Sequence, residues 1–122
     1  MNISIIRKRL ENNGYAAEEK ILNTGYTALF VTGYKHMSEI FDLLKRHEKA
    51  LHFDFNAYRH CLVCMTKDDY ASHKARQEAK TTLHNIFWNE LHNGKSQEEA
   101  KQIQYDYAVQ HNCIDVFNRI YT

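Results

Sequence analysis

The chain has 122 residues, the size of one ordinary domain. Apolar residues make up 43%, enough to bury a core and too many for a disordered chain. Sixteen Lys and Arg stand against fifteen Asp and Glu, for a formal net charge of +1, which argues against both a strongly basic nucleic-acid wrapper and an acidic DNA mimic.

There is no Pro and there are only four Gly, so long regular elements are expected rather than a loop-built fold. The N-terminal MNISIIRKRL places its basic residues after a short apolar run, the reverse of a secretory signal. The longest apolar runs, ALFV and CLVCM, are far too short to span a membrane. Three cysteines without an export signal suggest a cytoplasmic protein with free thiols.

The first element reads as an amphipathic helix. Ile3, Ile6 and Leu10 fall on one stripe, with Arg7, Lys8, Arg9 and Glu11 mostly off it, and Asn13-Gly14 supplies the stop. Two strand-like runs follow, EKILN and YTALFVT, joined through Thr24-Gly25 as a hairpin. In the second run Leu29 and Val31 should face one side of the sheet, and Tyr26, Ala28 and Phe30 the other.

From about Tyr34 to Ala50 the period becomes helical, with Met37, Ile40, Leu44 and His47 on one stripe. LHFDFNAYRHCLVCM then reads as extended, either one strand or two strands turning at Asn56-Ala57. Thr66-Lys67-Asp68-Asp69 opens a long helix striped by Ala71, Ala75, Ala79, Leu83, Ile86, Phe87 and Leu91. The alanines are expected to pack on the sheet half. Asn93-Gly94 ends that helix, and the capping box Ser96-Gln97-Glu98-Glu99 opens the next. Ala100, Ile103, Tyr107, Gln110, Ile114, Phe117 and Tyr121 then predict one continuous second arm. Arms of this size are roughly 35–40 Å long, so the hairpin should protrude or meet another chain.

The expected fold is therefore α+β. A small antiparallel sheet with two helices, in α-β-β-α-β order with the last strand possibly split, occupies residues 1–65. A long antiparallel helical hairpin occupies residues 66–122, and the two form one cooperative domain.

The Cys61-x-x-Cys64 pair is the one stretch that suggests site chemistry. On a strand the two thiols point to opposite faces, which suits neither a disulfide nor a shared metal ion. Zinc pairs sit on tight turns with a second pair nearby, whereas Leu62 and Val63 intervene here and Cys113 stands alone. His60 with Cys64 on one face would make a nucleophile–base pair, but no glycine loop or helix start beside Cys64 offers an oxyanion hole. Gly-rich phosphate loops, G-x-S-x-G, H-E-x-x-H and calcium-loop motifs are missing. No catalytic, metal or cofactor residues are assigned, and a non-enzymatic protein is expected.

Two surfaces remain. His84, Trp88 and His92 recur every four residues beside the hairpin seam and, with Tyr105, make the expected protein-docking surface. Homodimerisation through the hairpin is a variant of this reading. The basic residues Arg7, Lys8 and Arg9, with Lys45, Arg46 and Lys49, would instead form a phosphate-binding strip if both helices lie on one face of the sheet. Lys74, Arg76 and Lys80 form a third basic cluster.

A helix ending in LENNGY and followed by two short strands resembles the opening of the small HicA-type mRNA interferases, which have a double-stranded-RNA-binding-like fold. The resemblance covers about the first quarter of the chain. Where that family carries a catalytic histidine on its strand, this chain reads TGYT with Tyr26, and the remainder does not continue the pattern. What the resemblance implies is RNA binding as the alternative function. The leading expectation is a cytoplasmic protein-contact module. By analogy of size and composition, it would be a phage or mobile-element inhibitor of host restriction or CRISPR machinery.

Overall fold

The computed structural model describes residues 2–56 and 60–122. The chain is α+β, and it divides into two compact units, Met1–His73 and Lys74–Thr122.

Helix α1 (Ile3–Asn12) begins at Asn2, whose side chain accepts from the Ser4 N–H at 2.9 Å. It ends where Gly14 takes φ +87° and the Tyr15 N–H bonds back to the Leu10 carbonyl. That left-handed backbone, rather than any close neighbour, accounts for the glycine. Strands β1 (Ala16–Ile21) and β2 (Thr27–Thr32) form the expected hairpin. Paired bonds between Leu22 and Tyr26, and between Gly25 and Leu22, close a loop of Asn23, Thr24 and Gly25, with Gly25 at φ +91°.

The predicted second helix is shorter than expected. Helix α2 covers Met37–Leu43, and Lys45–Ala50 winds as a 3₁₀ segment. This tighter coil carries the chain from Leu44, buried in the core, to Leu51 at the start of strand β3 (Leu51–Asn56). The extended run is split: β4 (Cys61–Thr66) returns antiparallel to β3. The proposed turn begins at Asn56, the last residue of β3; Ala57 lies outside the described residues.

The four strands lie in the order β1-β2-β4-β3, every neighbour antiparallel. Leu29 and Val31 of β2 join Leu62 and Cys64 of β4 and Leu51 of β3 on one face. Ile3, Ile6 and Leu10 of α1, with Ile40 and Leu44, close over them. Glu19 fastens β1 beneath α1 by accepting from Ser4 and pairing with Arg7 at 3.2 Å.

Strand β4 runs straight into helix α3 (Lys67–His92). Thr66 serves both elements, because its hydroxyl accepts from the Asp69 N–H at 3.2 Å. The expected burial of the alanine stripe fails at its start: Ala71 and Ala75 are exposed, and Ala79 packs with a separate helical core.

In the second unit, α3 ends in a Schellman turn. Gly94 stands at φ +88°, and the Lys95 N–H reaches the Glu90 carbonyl at 3.1 Å. The Ser96/Glu99 capping box then starts α4 (Gln97–Gln110), the second helix of the hairpin. The continuous second arm is corrected by the structure. Asn112 takes φ +56°, the Cys113 N–H bonds to the Ala108 carbonyl, and helix α5 (Ile114–Ile120) begins. Asn substitutes for Gly in this second Schellman turn. Leu83, Ala108, Val116 and Phe117 form the core that the break creates. The predicted stripe shifts accordingly: Gln104 and Ala108 are buried, whereas Gln110 and Ile114 are exposed.

Candidate partner-binding surface

Strand geometry separates the two thiols of the Cys-x-x-Cys stretch. Cys64 points into the helix-covered core, and Cys61, three residues earlier, points to the opposite face. His60 is not part of strand β4. It lies exposed at φ +45° just before β4, with its ring 6.4 Å from Phe55. Among the described residues, no three His, Cys, Asp or Glu side chains are gathered to hold a metal ion.

Burial pushes the Cys64 thiol up from about 9 to about 12. The raised pKa means that the folded state prefers the neutral thiol. Its stabilising contribution is full below pH 9 and is lost as pH rises towards 12. Between pH 9 and 10 the wild type should lose about 1 kcal/mol through this group. Cys64→Val should lack that increment in denaturation curves at matched pH, and Cys64 should resist thiol reagents in the native protein at pH 8.

The opposite face of the sheet is partly covered by the start of α3. The Tyr70 ring stacks on His52 at 3.5 Å, and His73 hydrogen-bonds to buried Thr24. Burial lowers the His73 pKa below the usual imidazole range. Beside Cys61, a cavity of about 240 Å³ is lined by Glu18, Lys20, Phe30 and Thr32 among others, with the Lys20 ammonium 4.9 Å from the Phe30 ring centre.

The basic residues of the first unit are partly gathered. The Arg9 Nε donates to the Leu43 carbonyl at 3.0 Å, which brings the end of α1 to the segment carrying Lys45, Arg46 and Lys49. Lys8, Lys45, Arg46 and Lys49 are all exposed. Arg7 is already engaged by Glu11 at 3.5 Å and Glu19 at 3.2 Å. Glu48 lies within the same 3₁₀ segment and further offsets the positive charge.

In the helical unit, five of the nine large apolar side chains left exposed among the described residues are found: Trp88, Tyr105, Val109, Ile114 and Tyr121. Trp88 is 56% exposed, with His84 and His92 exposed one turn to either side. His92 Nδ1 lies 2.7 Å from the Trp88 carbonyl oxygen. Trp88 lies five residues beyond buried Leu83, about 140° round the helix, so it projects away from the seam. Its ring neighbour is Phe87 at 5.7 Å.

Tyr105 belongs to a different group. Its ring meets Phe117 edge-on at 5.5 Å, and Phe117 in turn lies 4.9 Å from Tyr121. The Lys101 ammonium sits 4.3 Å from the Tyr121 ring centre. The Tyr121 hydroxyl donates to Gln104 Oε1, and the Gln104 amide donates to the Leu83 carbonyl at 2.6 Å. A buried polar chain thereby fixes one edge of an exposed aromatic group. The four predicted residues thus form two surfaces, His84-Trp88-His92 on α3 and Tyr105 with α5. Sequence reasoning missed Tyr121 and Val109 as surface residues because it ran the stripe through Asn112; the Asn112-Cys113 break was the available signal.

No family model matches the chain, and no curated protein or solved structure matches it. No helix among the described residues is long and apolar enough to cross a membrane.

Proposed function

We propose that this protein is a non-enzymatic binding module that acts through protein contact, with the exposed aromatics of its helical unit as anchors. One observation carries the reading: Trp88 stays 56% exposed on a helix that buries Leu83 fully and Ile86, Phe87 and Leu91 partly. Aromatic anchors dominate interface energies, and Tyr105 and Tyr121 offer further contact area on a positioned aromatic group. The partner class to test first is host restriction or CRISPR machinery in the cytoplasm, with this chain as its phage or mobile-element inhibitor. Chain size, motif-poor sequence and exposed aromatics support that choice.

The test is affinity capture on such effectors with wild type and Trp88→Ala/Tyr105→Ala. Trp88 is 56% and Tyr105 40% exposed, and an unchanged circular dichroism spectrum should show that the variant keeps its fold. It should lose at least about 30-fold in affinity, the cost of one interface anchor. Unchanged binding by a folded double variant would remove this surface from the proposal.

A second reading, nucleic-acid binding, is favoured by one contact, the Arg9–Leu43 bond that joins the two basic segments. Lys45→Glu/Arg46→Glu/Lys49→Glu should then abolish a salt-sensitive shift of duplex RNA. No shift by wild type at low salt ends that reading.

A further inference from the structure

The sheet has two edge strands, β1 and β3, and they differ in how they would receive another strand. β1 reads Ala16-Ala17-Glu18-Glu19-Lys20-Ile21. The fullest antiparallel registers of β1 with its own copy set Glu18 against Glu18, or set Glu19 against Glu19 with Glu18 against Lys20 to either side, and Glu19 is already held by Ser4 and Arg7. Like charges directly opposite disfavour the pairing.

β3 reads Leu51-His52-Phe53-Asp54-Phe55-Asn56. The Leu51 N–H bonds to the Glu48 carbonyl, so it does not serve the β4 ladder. Antiparallel strands alternate the direction of their backbone groups. Phe53 and Phe55 therefore turn their N–H and C=O groups towards the open edge. Side chains alternate too: Phe53 and Phe55 lie on the face of Cys64 and Leu62, and His52 and Asp54 on the face of Met65 and Val63. Phe55 is 48% exposed, and exposed Phe41 meets Phe53 edge-on at 5.2 Å, which widens the apolar strip.

We propose that β3 is a self-association edge, pairing antiparallel with β3 of a second copy of this chain in the register centred on Phe53. That register overlaps all three outward-bonding residues. It sets His52 opposite Asp54 of the second copy, twice by symmetry, on one face, so that the His52–Asp54 pair already hydrogen-bonded at 3.0 Å within each copy meets its counterpart. On the other face it sets Phe53 opposite Phe53 and Leu51 opposite Phe55. Moving the centre to Asp54 places Asp54 against Asp54, and moving it to His52 places His52 against His52. Hydrogen-bonding complementarity of His52 with Asp54 and apolar matching thus select one register and one partner. The product is a continuous eight-stranded sheet with two-fold symmetry. None of these residues belongs to the helical-unit surface.

Light scattering after size exclusion at about 100 µM, a concentration suited to a small interface, should give twice the 14.5 kDa chain mass. Asp54→Lys, at an exposed position, should weaken dimerisation roughly tenfold while leaving the circular dichroism spectrum unchanged. Trp88→Ala should leave the mass unchanged. In a cysteine-free background (Cys61→Ala, Cys64→Val, Cys113→Ser), which removes the thiol of Cys64 directly across β4 from position 53, Phe53→Cys should crosslink between copies on mild oxidation, because Cα atoms of a directly opposed hydrogen-bonded pair stand about 5.5 Å apart. Asp54→Cys should not, since its symmetry mate lies two residues along the strand, beyond disulfide reach. A monomeric wild type, a dimer untouched by Asp54→Lys, or equal crosslinking at positions 53 and 54 overturns the proposal.

Discussion

Leu62→Ala is expected to destabilise the sheet unit by about 3–4 kcal/mol. Leu62 is 1% exposed and lies on β4, opposite Val31 of β2 on one side and Phe55 of β3 on the other. Its side chain belongs to the one core shared by α1, α2 and three strands. Truncation removes apolar burial and leaves a void that a sheet hydrogen-bonded on both sides cannot collapse to fill. A domain of this size has only about 5–15 kcal/mol in total, so the loss is a large fraction. Urea denaturation should show a lower midpoint, and hydrogen exchange should show faster opening of the β2 and β4 amides. A loss below about 1 kcal/mol would mean that the β2–β4 pairing is not the centre of this core.

Gln104→Ala is expected to cost the helical unit about 3 kcal/mol, a large effect for a residue that looks like surface in the sequence. Gln104 is 1% exposed and links all three helices of the unit: its amide donates to the Leu83 carbonyl on α3, and its carbonyl accepts from Tyr121 just after α5. The alanine leaves a void and removes the acceptor of a hydroxyl held against the helical core. Gln104→Leu keeps most of the volume and removes only the bonds, so it should cost about 1–2 kcal/mol. The difference between the two variants, read from chemical denaturation, separates packing from hydrogen bonding. Near-ultraviolet circular dichroism should report release of the Tyr121 ring in both.

Much of the first unit was legible because its signals are local. Ile3, Ile6 and Leu10 repeat at helical spacing and are the buried residues of α1. Leu29 and Val31 alternate with Ala28 and Phe30, and the two sets do occupy opposite faces. The second helix was overextended because a 3₁₀ segment keeps nearly the same apolar spacing as an α-helix over one or two turns. Trp88 and its two histidines were legible as a stripe at four-residue spacing beside the seam, whereas their exposure, with Trp88 turned away from it, was decided by which face of α3 Leu83 buries. The Tyr105–Phe117–Tyr121 group was not legible, because it exists only once Asn112 turns α5 back along α4.

By itself the sequence determined where chemistry acts within a few residues: the Ser96/Glu99 cap, the glycine turns, and the opposite aim of Cys61 and Cys64. Tertiary structure alone decided that β2 pairs with β4 and leaves β1 and β3 at the edges, and that a glutamine rather than an apolar residue fills the middle of α4. Dihedral preferences and caps are properties of neighbouring residues. Strand order and burial depend on which distant surfaces meet, and hydrophobic attraction has no direction of its own with which to announce them.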